Sequence, residues 1–170
     1  MDAFLAIVSR REVREYSERP LPEDSVRRIL DAGRLAGSSR NRQQRRFIVL
    51  RDRALVEHAA EAVHSPGNLL GAALVIALVV RGKGPTAFDA GRAAQNMMLA
   101  AHNEGIGSCP NGVADPIGME AVLGHGEDEQ VATLISFGYP ARPRDPGRRS
   151  PEEWVARADR LPFERVIEER

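Results

Sequence analysis

Arginine side chains gather at three places in this sequence, and they are the residues best suited to binding an anion. The clusters are Arg10, Arg11 and Arg14; Arg40, Arg42, Arg45 and Arg46; and Arg148 and Arg149. A guanidinium presents a fixed fork of donors that can bind two oxygens of one phosphate at once. Each cluster taken alone is also typical of a solvated surface beside a helix end. The clusters therefore indicate an anion site only if the fold brings them together.

A polar stretch between Ser38 and Gln43 supplies a second kind of binding group. It holds two hydroxyls and two amides within six residues, directly after a predicted helix. Such groups can bond the edge of a heteroaromatic ring on which donors and acceptors alternate. A polar turn, in which Ser and Asn cap the local backbone, explains the same residues equally well. The residues alone leave both interpretations open.

The stretch from Gly105 to Gly112 contains three glycines and a proline, which permits the backbone to approach a flat ligand closely. A helix end followed by a turn is the simpler interpretation of Gly105. The stretch matches neither GxxxxGK[ST] nor GxGxxG. The four histidines and the single Cys109 show no metal-ligand spacing and no nucleophile motif. We therefore predict no metal site and no catalytic side chain.

The composition is that of an ordinary globular protein without a general attraction to polyanions. Its 24 basic and 24 acidic residues cancel, and 42% of the residues are hydrophobic. A nucleic-acid module built on Arg40–Arg46 would lack interleaved aromatic residues. The longest apolar run, residues 69–80, is shorter than the about 20 residues that a membrane-spanning helix needs. We expect a cytoplasmic protein of one domain that binds neither nucleic acid nor a membrane.

Helices and strands that alternate along the chain must position these residues. The predicted helices are 2–9, 21–36, 52–63 and 87–104, with others starting at Asp115-Pro116 and at Ser150. The predicted strands are Phe47–Leu50, Ala73–Val80 and Val131–Phe137; the second is apolar throughout, as a strand covered on both faces should be. Residues 38–46, 81–85 and 109–112 are predicted loops, and 141–150 is a predicted extended linker. The pattern predicts an α+β fold of a single domain, residues 1–170.

The order of these segments resembles the FMN-dependent nitroreductase family over essentially the whole chain. The matching segments are Arg10-Arg11-Glu12-Val13-Arg14-Glu15-Tyr16, Ala36 to Gln43, Asp89 to Ala101, Gly105 to Cys109, Phe137-Gly138-Tyr139-Pro140 and Arg148-Arg149. Each motif is modestly specific, and their joint occurrence in this order is not expected by chance. The resemblance implies an α+β fold with a central, mostly antiparallel sheet flanked by helices. It also implies a homodimer with two FMN molecules at the subunit interface.

The resemblance implies a set of cofactor-binding residues as well. They are Arg10, Arg11, Glu12, Arg14, Ser38, Ser39, Asn41, Gln43, Asn68, Pro110, Asn111, Gly112, Arg148 and Arg149. In this scheme Arg10, Arg14 and Arg148 hold the phosphate, and the serine and amide residues of 38–43 come from the partner subunit. The loop at 109–112 passes the flavin ring with backbone N–H groups near its reactive nitrogen. Residues 141–170 form a C-terminal extension that packs on the partner.

The implied reaction transfers hydride from NADH or NADPH through FMN to a nitroaromatic, a quinone or a similar small acceptor. The flavin carries this chemistry, so the protein needs no catalytic acid, base or nucleophile. Two alternatives stay open, a deazaflavin in the same fold and a flavin-binding protein without catalysis. The family often has Pro-Trp where Gln44 and Arg45 stand, and commonly a serine at Glu12. Only a short turn precedes the long helix, which predicts an open, shallow active site.

Overall fold

Two compact units make up the chain, and each is described by itself. The computed structural model describes residues 1–170. The larger unit is Arg11–Arg144, and the smaller one combines Met1–Arg10 with Asp145–Arg170. No helix in the chain is both long enough and apolar enough to cross a membrane.

Seven α-helices and four β-strands form the two units, which confirms the α+β class. The helices are α1 Ala3–Ser9, α2 Glu23–Arg34, α3 Arg53–Glu61, α4 Pro66–Leu70, α5 Thr86–Asn103, α6 Pro116–Leu123 and α7 Pro151–Ala156. The strands are β1 Arg45–Leu50, β2 Leu74–Arg81, β3 Gly107–Asn111 and β4 Glu129–Gly138. Short 3-10 helices lie at Ser39–Asn41, Pro146–Arg148 and Phe163–Arg165.

The sheet has the order β1-β2-β4-β3, and every pairing is antiparallel. Strand β2 is buried from Leu74 to Val80, as its apolar run predicted. Successive side chains of a strand point to opposite faces, so Ile76 and Leu78 join the core under α2 and α5. Val75 and Ala77 join a second core under α3, α4 and α6. The predicted antiparallel sheet flanked by helices is confirmed.

Close packing of α2 on α5 depends on one small residue. A Cβ at Gly33 would lie 2.7 Å from Sδ of Met97 and 2.9 Å from the ring of Phe47. Met97 is fully buried, so it has no free space into which to move. Gly33 therefore sets the distance between the two helices that cover one face of the sheet.

The prediction of a tight loop at 109–112 was wrong, because β3 occupies Gly107–Asn111 and pairs with β4. Glycine, cysteine, proline and asparagine carry almost no strand signal, so the neighbouring strand decides this structure. Pro110 has no N–H to donate, which an edge strand tolerates. Two other bounds moved for the same reason: β1 begins at Arg45 and β4 at Glu129, because both continue pairing along β2. The helix α4 and the turn at Pro146–Arg148 were not predicted.

Helix caps and a hydrogen bond from the Trp154 indole stabilise the smaller unit. The Asp2 carboxylate accepts from the N–H of Phe4 at 2.9 Å and begins α1. A capping box of Ser150 and Glu153 begins α7, as predicted for this position. The Trp154 indole donates to the carbonyl of Pro146 at 2.9 Å, and α1 packs on α7.

An ion pair closes one end of the sheet in the larger unit. Arg46 on β1 binds Glu129 on β4 through two hydrogen bonds of 2.9 and 2.6 Å. The Glu129 carboxylate also accepts from the N–H of Gly126 at 3.1 Å. The hydrogen bond from Arg46, followed by that from Gly126, lowers the pKa of Glu129 to about 2.

Replacing Glu129 by glutamine should remove a stabilisation that depends on pH. The folded-state pKa of Glu129 is about 2 and the reference value is 4.5, so its contribution is present above pH 4.5 and disappears as the pH falls towards 2. The difference in urea unfolding between wild type and Glu129→Gln should be largest near pH 7, shrink below pH 4.5 and be smallest near pH 2. Glu57→Gln, which breaks an exposed pair with Arg53, is the control and should change little. A difference that stays constant with pH would contradict this assignment.

Candidate functional site

The arginine segment that follows α1 lies beside β3 in the larger unit. The N–H of Val13 donates to the carbonyl of Ser108 at 3.0 Å. A Cβ at Gly107 would lie 2.6 Å from Cβ of Val13, so a glycine is required for this approach. The fold thereby brings Arg11–Arg14 next to the strand that carries Pro110. The arginine segment and the glycine-containing stretch, which the sequence indicated separately as candidate binding segments, are therefore neighbours in the fold.

The Tyr16 hydroxyl fixes the same segment to the sheet. It donates to the carbonyl of Val13 at 2.6 Å and lies 3.0 Å from Oγ of Ser136 on β4. Burial raises the pKa of Tyr16, so the hydroxyl keeps its proton and its role as a donor. Its ring lies against Gly138, where a Cβ would come within 2.8 Å.

A chain of hydrogen bonds continues from Ser136 to the side chain of Asn68. The Ser136 hydroxyl donates to the carbonyl of Cys109 at 3.2 Å. Nδ2 of Asn111 donates to the same carbonyl at 2.9 Å and to that of Leu134 at 3.3 Å. Nδ2 of Asn68 donates to Oδ1 of Asn111 at 2.9 Å. The chain therefore links the arginine segment, β3 and Asn68 in one polar network.

The predicted site residues in and beside β3 differ in how exposed they are to an external ligand. Asn111 is 3% exposed and its amide bonds the sheet and Asn68. Pro110 and Gly112 are exposed, and Asn68 is half-buried. An external ligand can reach the exposed backbone of this strand end more readily than the Asn111 side chain.

An open cavity of about 330 Å³ lies where the arginine segment meets the chain after β4. Its lining residues are Glu12, Val13, Arg14, Glu15, Pro140, Arg142 and Arg144. Backbone bonds hold this junction, because Ser17 N–H donates to the Tyr139 carbonyl at 2.8 Å and Ala141 N–H to that of Glu15 at 3.0 Å. Arg142 and Arg144 were not among the predicted site residues. The clue was available, since both follow closely on the Tyr139-Pro140 motif.

The 38–43 loop is positioned by α5. The Ser39 N–H donates to the carboxylate of Asp89 at 3.0 Å, and Gln43 N–H donates to Oγ of Ser38 at 3.0 Å. Ser38 and Ser39 are half-buried, whereas Asn41 and Gln43 are exposed. The Ser38 hydroxyl therefore stabilises the loop by a hydrogen bond within it.

The remaining predicted phosphate ligands lie in the smaller unit. Arg10 ends α1 with its N–H donating to the carbonyl of Ala6 at 3.2 Å. Arg148 lies in the 3-10 helix Pro146–Arg148, which contacts α1. The Arg149 guanidinium stacks over the ring of Trp154 at 5.0 Å from its centroid. Arg149 is therefore engaged within its own unit, and Arg148 is exposed.

No group of three or more His, Cys, Asp or Glu side chains in the chain is arranged to hold a metal ion. Cys109 is buried on β3. The polar groups of this region are arginines, amides and backbone groups, which are suited to binding rather than to acid, base or nucleophilic chemistry.

Comparison with known proteins decides the family. The profile of the Nitroreductase family matches residues 7–84 and 84–139, which is most of the chain. A protein of Methanothermobacter thermautotrophicus, provisionally named NADH dehydrogenase/NAD(P)H nitroreductase, is 33% identical over 159 residues, covering 88% of this chain and 82% of that relative. The chain belongs to the nitroreductase family.

Solved structures of nitroreductases agree with this fold. A provisionally named nitroreductase from Desulfovibrio desulfuricans, solved in complex with FMN, superposes with a TM-score of 0.81 at 27% identity, covering 100% of this chain and 98% of the other. An FMN-dependent nitroreductase from Clostridium difficile R20291 gives a TM-score of 0.75 at 26% identity, with coverage of 85% and 90%. The resemblance inferred from the sequence motifs is confirmed.

Replacing Tyr16 by phenylalanine should destabilise this nitroreductase by about 1–3 kcal/mol, because the buried carbonyl of Val13 and the hydroxyl of Ser136 each lose a partner. Urea unfolding measures the loss. Tyr139→Phe is the matched control, since Arg19 stacks on the Tyr139 ring, 4.0 Å from its centroid, and the ring is retained. Equal stabilities of the two variants would show that the Tyr16 hydroxyl does not fix the segment.

Proposed function

We propose that this nitroreductase is an FMN-dependent oxidoreductase that passes hydride from NADH or NADPH to a nitroaromatic, a quinone or a similar small acceptor. The observation that carries the proposal is the arginine-lined cavity formed by a segment that is bonded to β3 through Val13 and Ser108. The names of the relatives support it, because one names NAD(P)H and two solved structures name FMN.

The donor set of the cavity fits a phosphate monoester. Arg14, Arg142 and Arg144 line a volume of about 330 Å³ that is open to solvent. A phosphate near −2 charge binds best where several guanidinium groups reach it. Glu12 and Glu15 line the same cavity, so they must turn away from the phosphate or pair with an arginine. Arg10 and Arg148 stay predicted phosphate ligands, and Arg11 and Arg149 stay predicted cofactor-binding residues.

The exposed end of β3 fits the flat ring of a flavin. Pro110 and Gly112 are exposed there, and the amide of Asn68 is held by Asn111 at 2.9 Å. In this proposal the backbone around Gly112 faces the reactive edge of the ring, while Asn68 binds its pyrimidine edge. When bound, FMN supplies the hydride transfer itself. The residues of the chain bind the cofactor, orient it and exclude water from one face.

A second copy of the chain completes the proposed enzyme. Large apolar side chains are exposed in the smaller unit, including Phe4 at 55%, Ile7 at 56%, Leu161 at 67% and Phe163 at 69%. Apolar surface of this kind is buried in stable oligomers. In the proposed homodimer residues 141–170 pack on the partner, and Ser38, Ser39, Asn41 and Gln43 reach the partner's FMN. Cytoplasmic location stays a prediction.

The visible spectrum of the purified protein, with mass spectrometry of what heat releases, tests the cofactor. Flavin bands and the mass of FMN support the proposal, whereas a deazaflavin mass favours that alternative in the same fold. A colourless protein that takes up no added FMN would overturn it. Oxidation of NADH or NADPH with a quinone as acceptor then distinguishes an enzyme from a flavin-binding protein without turnover.

Replacing Arg14 by alanine should weaken FMN binding by about 2 kcal/mol or more, which is the loss expected for a charge-assisted hydrogen bond. Fluorescence quenching of FMN titrated with apoprotein measures it. Arg27→Ala removes an exposed arginine of α2 and serves as the control. An unchanged affinity in Arg14→Ala would remove this residue from the site.

Replacing Arg142 or Arg148 by alanine tests two sources of predicted phosphate ligands, the lining of the cavity and the sequence motif. Arg142 lines the cavity with Arg14, and Arg148 comes from the motif. If both bind the phosphate, each variant should lose about 1–3 kcal/mol of FMN affinity, whereas riboflavin, which lacks a phosphate, should bind all variants equally. A loss of riboflavin affinity as large as that for FMN would argue against a phosphate contact.

A further inference from the structure

The 38–43 loop has a strained backbone. Arg40, Asn41 and Gln43 have φ angles of 52°, 53° and 53°. This left-handed region is tolerated by asparagine but disfavoured for arginine and glutamine. Three such residues within four positions do not persist unless other contacts hold them.

Asp89 in the first turn of α5 supplies the principal contact. Its carboxylate accepts from the Ser39 N–H, with Oδ2 at 3.0 Å and Oδ1 at 3.3 Å. Asp89 is only 9% exposed. A hydrogen bond from an N–H to a buried carboxylate is short and strong compared with one between neutral groups. The 3-10 turn Ser39–Asn41 is thereby attached to the helix at its first residue.

The charge of the same carboxylate also acts on Arg45. Nη2 of Arg45 donates to the carbonyls of Ala36 and Arg34, and so ties the start of β1 to the end of α2. Burial lowers the pKa of Arg45, and the charge of Asp89 opposes that effect. One turn along α5, Arg92 covers Gly37, where a Cβ would lie 2.5 Å from Nη2. Asp89 thus offsets the positive charge of Arg45 beside the loop.

Packing in the core does not explain this loop conformation, because the side chains of Arg40, Asn41, Arg42 and Gln43 are all exposed. Strain that persists at a surface loop points to a function for the presented side chains. We propose that Asp89 is a positioning residue, which holds the 38–43 loop so that the amides of Asn41 and Gln43 are fixed in advance for FMN. This inference rests on the proposed function, since it takes FMN as the ligand of the loop.

Two substitutions test the contact from opposite sides. Asp89→Ala removes the acceptor. Ser39→Pro removes the N–H and the hydroxyl but leaves the charge of Asp89 beside Arg45, so Ser39→Ala, which removes the hydroxyl alone, is its control. Ser38 is already extended, with φ −135° and ψ 155°, as a residue before proline requires. Asp89→Asn keeps one acceptor oxygen and should retain part of the function. Asp31→Asn, at an exposed pair with Arg34, is the control for loss of one carboxylate.

Two measurements on each apoprotein separate positioning from folding, both made well below the melting temperature. Amide hydrogen exchange of 38–43 should accelerate by on the order of tenfold or more in Asp89→Ala and Ser39→Pro. The Kd for FMN should rise by about tenfold or more in the same variants. Asp89→Asn should lie between them and wild type, and Asp31→Asn should match wild type in both measurements.

The outcomes that would overturn the inference are distinct from those that would overturn the proposed function. Unchanged exchange in both variants would show that Asp89 does not hold the loop. Faster exchange with an unchanged Kd would show that the held geometry does not serve FMN. If Asp89→Ala does not fold, the Ser39→Pro variant tests whether the contact between Asp89 and Ser39 holds the loop. If wild type binds no FMN, the proposed function fails and with it the assigned ligand, while exchange still reports whether Asp89 holds the loop.

Discussion

The hydroxyls of Tyr16 and Ser136 form the interaction on which the rest of the candidate site depends. Both groups are removed from bulk water, where an unsatisfied polar group is costly, and their oxygens lie 3.0 Å apart. From this pair hydrogen bonds extend to Val13 on one side and to Cys109 on β3 on the other. A buried polar network of this kind specifies one arrangement of its segments, here the arginine segment beside the strand end.

The arginines of the chain divide between two physical roles. Arg28 with Glu104, Arg46 with Glu129 and Arg51 with Glu23 make ion pairs that join elements distant in sequence. Arg14 and Arg142 instead line an open cavity. Formal neutrality of the whole chain conceals this division, because charge balance is global and anion binding is local. Clustering in the sequence does not distinguish the roles, since Arg45 and Arg46 are neighbours of Arg42 and serve structure.

An enzyme whose chemistry is carried by a flavin needs rigidly held binding groups more than it needs reactive side chains. The region carries no metal cluster, and its single cysteine is buried. Its polar groups instead fix backbone: Asn111 binds across β3 and β4, and Asp89 binds the 38–43 loop. Binding energy is used well when the protein groups are oriented before the ligand arrives. The polar side chains of Asn111 and Asp89 hold backbone groups in place in this way.

The sequence by itself determined the helices other than α4, the central apolar strand and the family, because periodicity, caps and ordered motifs are local properties. It did not determine β3, since the residues of Gly107–Asn111 have little strand propensity and follow the pairing offered by β4. It also did not indicate Arg142 and Arg144 as site residues, since they lay in a predicted linker. Their meeting with Arg14 is decided by backbone bonds between segments more than a hundred residues apart. Such contacts exist only after the chain has folded, so tertiary structure alone decided them.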